Sequence, residues 1–269
     1  MNKVLVTGGT GTLGRAIVNL LIRKGFHTSV LSSSNAPDLP YSVKIFKGNL
    51  TIKDSLKEAV SGSDIIIHCA TNPLNPNAID IEGTKNLLSH VNKFQPKHLV
   101  YISIVGIDKS SYPYYQAKRE VENMIKDSNF SWSILRTTQF HDLVLNYFLL
   151  PFDKGGGTPI KVPKNLRFQS IDIMDVAKTL IEIATGTPLN STLTIGGPEI
   201  LSIEEMGRIY LKVLKRNDEI QSELIENELY EIFRSGINLY PSQVSGIISW
   251  EDYLRIKFEE KTTANNGYQ

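Results

Sequence analysis

The chain has 269 residues, with 29 Lys and Arg against 28 Asp and Glu, 41% hydrophobic residues and one cysteine. A disordered tail protein would carry less apolar content and more net charge, and a disulfide scaffold needs more than Cys69. The net charge of +1 offers none of the basic excess of a general nucleic-acid binder.

No stretch reads as a membrane span. The longest apolar run, Leu143 to Phe152, is interrupted by Asn146 and Pro151 and falls short of the ~20 residues a bilayer helix needs. The first residues run directly into a strand pattern, without the charged, apolar and cleavage regions of an export signal. With one thiol, that points to a reducing cytoplasm, and neither a membrane nor a nucleic acid is an expected partner.

In chain order, short β-branched apolar runs stand at Lys3–Thr7, His27–Leu31, Val43–Phe46, Asp64–His68, His98–Ser103 and Trp132–Arg136. Such runs suit strands buried on both faces of a parallel sheet. Helical spacings fill most of the gaps, at Leu13–Lys24, Asp54–Val60, Ile79–Phe94 and Tyr115–Asp127. The alternation predicts an α/β fold, a doubly wound parallel sheet with right-handed crossovers. After Arg136 the rhythm loosens. Gly155–Gly157 is a flexible turn and Phe168–Ile173 a short strand. Asp175–Ala184 is helical and Ser191–Ile195 a strand. Ile203–Lys215 is a helix with Ser202 and Glu205 as a capping box. Helical patterns follow at Ser222–Phe233 and Ser249–Glu260, and the polar end Thr262–Gln269 reads as frayed. We divide the chain into a dinucleotide-binding domain, 1–150, and an intertwined C-terminal α+β substrate lobe, 151–269.

The chemistry begins at the first strand–helix joint, where Gly8, Gly11 and Gly14 are spaced three apart. Gly8 lets the chain turn off the strand, Gly11 lets a pyrophosphate approach the backbone, and Gly14 lets the helix pack on the sheet. The helix N-terminus then offers free N–H groups to phosphate. Gly8, Thr10, Gly11, Thr12, Leu13, Gly14 and Arg15 are the expected cofactor contacts. The second strand ends in Ser32, Ser33 and Ser34 without the acid that usually selects NAD. Hydroxyls with Arg15 nearby suit a 2′-phosphate, so NADP is preferred over NAD. Asn49 and Leu50 follow the third strand, and Ala70 and Thr71 the fourth, at carboxyl ends where ligands bind. Each also reads as an ordinary loop residue. His68 and Cys69 read as core residues, with no metal site expected.

Tyr114 and Lys118 are four apart and share a helix face just after the fifth strand. A nearby ammonium favours the phenolate and lowers the tyrosine pKa, which suits a proton donor and acceptor on a substrate oxygen. Lys118 can also hold the nicotinamide ribose. Tyr253 and Lys257 have the same spacing but no such location.

The segments TGGTGTLGR (7–15), YISIVGID (101–108), YYQAKREVE (114–122), WSILRTTQFHDLV (132–144), FQSIDIMDVA (168–177) and IGGPEILSIEEM (195–206) resemble the short-chain dehydrogenase/reductase superfamily. The likeness is to its atypical, NmrA-like members, often labelled nucleoside-diphosphate-sugar epimerases. The resemblance implies a Rossmann sheet, bound NADP or NAD, and a small lobe closing a substrate cleft. It implies Tyr114 and Lys118 as catalytic residues with Ser103 as the hydroxyl partner, although that slot also falls at Ile104 or Val105. Thr137 is implied at the carboxamide. Phe140 and His141 face either substrate or core, and Phe168 reaches the pocket. The reading is an NAD(P)-dependent oxidoreductase acting on a small carbonyl, alcohol or quinone-like substrate, as monomer or homodimer. The alternative is a cofactor-binding redox sensor with a protein partner. A sugar-nucleotide epimerase ranks third, because the lobe is short and has no basic cluster for a diphosphate.

Overall fold

In a computed structural model, residues 2–265 are described. The chain divides into two compact units, Met1–Arg136 with Val176–Thr194, and Thr137–Asp175 with Ile195–Gln269.

The first unit is built on a seven-stranded sheet. Its strands are β1 (Lys3–Thr7), β2 (His27–Ser32), β3 (Lys44–Lys47), β4 (Ile65–His68), β5 (His98–Ile104), β6 (Trp132–Thr137) and β9 (Thr192–Ile195), in the order β3-β2-β1-β4-β5-β6-β9. The pairs from β3 through β5 are parallel, with Val4 opposite Thr28 and Ile65. This is the doubly wound, Rossmann-type sheet expected from the alternating pattern, with the order reversing at β1 and β4. Its apolar strands follow from burial: Val4–Val6 and Ile65–Ile67 are covered on both faces. The helices are α1 (Thr12–Arg23), α2 (Lys57–Ser61), α3 (Gly83–Phe94) and α4 (Pro113–Lys126). Leu56, Leu87, Val91, Val121 and Ile125 carry α2, α3 and α4 into one core with Leu5, Ile66, Leu99 and Ile134. A π-helical segment, Asn77–Glu82, leads into α3 and occupies the start of the helix expected from Ile79.

The second unit holds two two-stranded sheets. The antiparallel one pairs β8 (Arg167–Phe168) with β10 (Leu201–Ser202), and the parallel one pairs β7 (Ile160–Pro163) with β11 (Ile220–Glu223). The helices are α5 (His141–Val144), α7 (Ile203–Val213), α8 (Glu228–Ser235) and α9 (Trp250–Asn265), with α6 (Ile173–Thr185) crossing the division. The capping box at α7 forms in both halves. The helix expected over Ser222–Phe233 does not form as one element. Ser222 and Glu223 pair with β7, and α8 starts only after Asn227, whose side chain accepts from the Leu229 amide at 2.9 Å.

The units divide at Arg136 rather than at residue 150. The reason is β9, which adds to the sheet beside β6 and draws residues 176–194 back into the first unit. The end expected to fray is helical as far as Asn265, and 266–269 lie outside the described residues. No described helix is long and apolar enough to cross a membrane.

Candidate functional site

The glycine loop takes the shape its spacing demands. Gly8 has φ +70°, and a Cβ there would stand 2.7 Å from the Ala70 nitrogen. A Cβ at Gly14 would stand 2.1 Å from the Gly8 oxygen, so only glycine lets α1 sit this close to β1. At Gly11 a Cβ would meet nothing within 4 Å except the Gly8 oxygen at 3.3 Å, leaving that side of the loop open. Thr10, Gly11 and Thr12 are exposed, while Leu13 is core. No side chain caps α1 and no acid lies in its first turn, so its positive end faces outward uncompensated. This cradle fits the pyrophosphate of a dinucleotide.

Arg15 reaches across to the segment after β2. Its Nε donates to the Thr10 carbonyl at 2.9 Å, and its Nη1 to the Asp38 carboxylate at 2.9 Å. Ser32 is buried and accepts from the Ser34 amide, while Ser33 is exposed. Lys47, at the end of β3, bonds Asn35 in the same segment, a second cation that the sequence pattern did not single out. Asn49 accepts from the Thr51 amide at 3.1 Å, which commits its Oδ1 to a local turn. Leu50 is buried, and a Cβ at Gly83 would stand 2.9 Å from its Cβ.

The end of β4 is tied to that of β1. Thr7 Oγ1 lies 2.6 Å from His68 Nδ1, and His68 Nε2 lies 3.0 Å from Thr84 Oγ1. Burial, with a smaller push from Lys118, takes His68 down to about 3, so this imidazole is neutral. Burial pushes the Cys69 thiol up to about 12. Ala70 is half-buried, and Thr71 is exposed.

Thr71 begins a polar chain. Its Oγ1 donates to Asp80 Oδ1 at 2.6 Å and lies 2.8 Å from the Tyr114 hydroxyl. Asp80 is 1% exposed and also accepts from the Asn72 amide at 3.0 Å. Lys118 is buried. Its Nζ donates to the Ile102 carbonyl at 3.1 Å, lies 3.8 Å from Asp80 Oδ1 and sits 4.5 Å over the Tyr101 ring. Burial holds Lys118 below its ordinary range, with Asp80 opposing. The expectation that Lys118 lowers the Tyr114 pKa is corrected. Burial above all pushes the Tyr114 phenol up, and Asp80 raises it further. The lysine spends its charge on Asp80 and the Ile102 carbonyl.

Ser103 is buried at the end of β5, and its hydroxyl makes no hydrogen bond with any described residue. Tyr101 and Ser103 are two apart and so face the same side, toward α4. Glu122 is fully buried and accepts from Arg136 at 2.7 and 2.8 Å and from Lys126 at 2.8 Å. The hydroxyl that bonds the Tyr114 phenol is that of Thr71. Asp80 was missed, although an aspartate between Ile79 and Ile81 in a helical pattern is a signal of a buried charge.

In the second unit, Thr137 is buried. Phe140 is half-buried, its backbone bridging Ile171. Both ring nitrogens of His141 are engaged, with Ser170 Oγ at 2.8 Å and the Ile248 carbonyl at 3.0 Å, and its ring packs on Trp250 and Tyr253. Phe168 is 0% exposed, with its ring 5.0 Å from Phe148 and 4.7 Å from Phe233. Within this unit His141 and Phe168 are packing residues.

Residues 8–186 match the model of an NAD(P)H-binding family. The chloroplastic divinyl chlorophyllide a 8-vinyl-reductase of Arabidopsis thaliana is 27% identical over 80% of this chain and 58% of its own length. The photosystem II assembly factor Ycf39 of Synechocystis is 31% identical over 59% of this chain and 53% of its own. The chain thus spans little more than half the length of these relatives. Among solved structures, UDP-glucose 4-epimerase of Thermotoga maritima superposes with a TM-score of 0.76 at 15% identity, covering 97% of this chain and 99% of that one. The family match, with the glycine cradle and the sheet order, shows that the chain belongs to the NAD(P)H-binding family, and the superposition shows that it shares the fold of that epimerase.

Proposed function

We propose that the chain is an NAD(P)-dependent oxidoreductase acting at a carbonyl or alcohol carbon of a small substrate. The observation that carries this reading is the Tyr114 hydroxyl, bonded to Thr71 after β4 and linked through Asp80 to Lys118. A bound nicotinamide supplies the hydride donor or acceptor. The chain's own part is the proton: Tyr114 gives it to, or takes it from, the substrate oxygen. Gly8–Gly14 and the start of α1 hold the phosphates, and Lys118 fixes Asp80. Replacing Tyr114 by Phe tests this. NADPH oxidation with a panel of quinones, aldehydes and ketones should fall at least about 100-fold, and full retained turnover would remove Tyr114 from the mechanism.

NADP is our preferred cofactor. Arg15 and Lys47 both reach the segment after β2, and the Asp38 side chain that holds Arg15 is 95% exposed, so the pair is weak and open to exchange. In a thermal-shift comparison of NAD, NADH, NADP and NADPH, the phosphorylated pair should stabilise more. A shift with NAD and NADH alone would overturn the preference.

A second reading, a dinucleotide-binding regulator, is favoured by one observation: the buried Ser103 hydroxyl bonds none of the described residues, and Tyr114 pairs with Thr71 in place of the expected partner. Tight binding of both redox forms without turnover of any substrate would select it.

A further inference from the structure

Three oxygens of the first unit stand in sequence: Tyr114 Oη, Thr71 Oγ1 and Asp80 Oδ1, separated by 2.8 and 2.6 Å. A threonine hydroxyl has one hydrogen to give, and an ionised carboxylate has none. Asp80 collects donors on both oxygens, the Thr71 hydroxyl on Oδ1 and the Asn72 amide on Oδ2, with the Lys118 ammonium 3.8 Å from Oδ1. Those are the surroundings of an ionised acceptor. The single Thr71 hydrogen is then committed to Asp80, and the Tyr114 hydroxyl must be the donor to Thr71. Counting hydrogens gives the chain a direction, from Tyr114 through Thr71 to Asp80.

We propose that Thr71 and Asp80 form a proton relay that carries the Tyr114 proton inward, with Asp80 as its store. The relay rests on the reading of this site as an oxidoreductase. In oxidation, a substrate alcohol loses a hydride from carbon to an oxidised nicotinamide dinucleotide and its hydroxyl proton to Tyr114 Oη. As that O–H bond forms, the one Tyr114 held toward Thr71 breaks. Thr71 Oγ1 takes this proton and releases its own to Asp80 Oδ1. The carboxylate becomes a carboxylic acid, and both hydroxyls are whole again. Between oxidative turnovers Asp80 returns its proton to water by way of the exposed Thr71 hydroxyl; reduction runs the same transfers backwards, each turnover drawing one proton from water to Asp80 by that route.

Burial favours such a store. Asp80 is 1% exposed, so a proton placed there has no direct contact with bulk water and passes to it through Thr71, which is exposed, while Tyr114 is half-buried. The groups facing the relay are Lys118 and Glu122 from α4, Tyr101 from β5, Cys69 from the end of β4, and Tyr115 beside Tyr114. Cys69 and His68 stay neutral through the working range.

Two measurements on the full chain test the relay. In infrared difference spectra at neutral pH, wild type against Asp80→Asn should show an ionised Asp80. The Tyr114 C–O band, assigned with Tyr114→Phe, should move in Thr71→Val and return in Thr71→Ser. In NADP-dependent oxidation of secondary alcohols, Thr71→Val should lower kcat about 100-fold with KM nearly unchanged and should alter the pH profile, while Thr71→Ser restores most of the rate. Undiminished kcat in Thr71→Val, no rescue by Thr71→Ser, or a protonated Asp80 at rest would each overturn the relay. If the wild type oxidises no alcohol and oxidises NADPH with no carbonyl, the oxidoreductase reading fails on its own. The infrared measurement then decides the donor chain by itself: an unmoved Tyr114 band in Thr71→Val overturns it, and a Thr71-dependent band sustains it.

Discussion

Tyr114 and Lys118 on α4, and Tyr253 and Lys257 on α9, have the same four-residue step and opposite bonding. In the second unit the pair closes on itself. Lys257 Nζ lies 2.7 Å from Tyr253 Oη and 2.6 Å from Asp142 Oδ1, and Tyr253 donates to the same oxygen at 2.9 Å. In the first unit the pair is open: Lys118 turns to the Ile102 carbonyl and Asp80, and Tyr114 turns to Thr71. Helical spacing puts a tyrosine and a lysine on one face. What neighbouring elements offer as acceptors decides whether the two satisfy each other or stay available to a third group. Tyr253 is 6% exposed and its hydroxyl is engaged, so it fastens α9 to α5.

The sharpest break of this contrast is turnover. Tyr114→Phe should cost two orders of magnitude or more, on the order of the contribution of a positioned acid or base. Tyr253→Phe should leave kcat as it was. Equal losses in both variants would mean that location confers nothing on Tyr114.

Stability should separate the two lysines the other way about. Lys118 and Asp80 are 3% and 1% exposed in their side chains, against 27% and 20% for Lys257 and Asp142. Removing one partner of a buried pair leaves an uncompensated charge and costs about 3–5 kcal/mol, whereas a partly wet pair is worth about 1 kcal/mol. Lys118→Met should therefore lower the urea midpoint several times more than Lys257→Met, and equal midpoints would show that Asp80 needs no cation.

The glycine loop was readable because its constraint is local: three glycines at a fixed step after a strand demand one turn and one close approach. The strands were readable for a similar reason, since burial on both faces writes itself into Val4–Val6 and Ile65–Ile67. The partner of Tyr114 was not. Thr71 and Asp80 arrive from the end of β4 and the π-helical segment after it, more than 30 residues before Tyr114, and only the sheet order brings them there. Ser103 sits at the end of β5 as expected, but its hydroxyl bonds no described residue, and the bond to Tyr114 comes from Thr71. β9 escaped the domain division because it rejoins the sheet across a long detour, a pairing no local pattern records.

Histidines offer a smaller test within the same contrast. His68 lies in the field of Lys118, and His141 packs on Tyr253. Both are held below the ordinary imidazole range, chiefly by burial, as is His98. Unfolded histidine titrates near pH 6.5, so below about that pH the unfolded chain binds more protons and stability must fall as pH falls. The window opens near 6.5 and closes at each folded value, about 3 for His68. Each imidazole contributes a slope of up to about 1.4 kcal/mol per pH unit. His141→Asn should remove one such share of the loss measured by urea unfolding between about pH 6.5 and 5. A wild type whose stability is flat across that interval would show that these imidazoles are not buried neutral.

The smallest effect concerns the closed pair itself. Tyr253→Phe deletes one hydroxyl and leaves the ring against Trp250 and His141, at 5.5 and 5.1 Å. Packing is kept, and Asp142 keeps Lys257. The loss should be one hydrogen bond to a charged group, about 1–2 kcal/mol. The lysine makes the argument testable as a coupling. If Tyr253, Lys257 and Asp142 act as one triangle, Tyr253→Phe and Lys257→Met will be non-additive by roughly 0.5 kcal/mol or more in a double-mutant cycle. The corresponding cycle of Tyr114→Phe with Lys118→Met should be closer to additive, because those two side chains share no hydrogen bond and Lys118 Nζ stands 5.9 Å from the Tyr114 ring, which phenylalanine keeps. Coupling of equal size in both cycles would erase the distinction between a closed and an open pair.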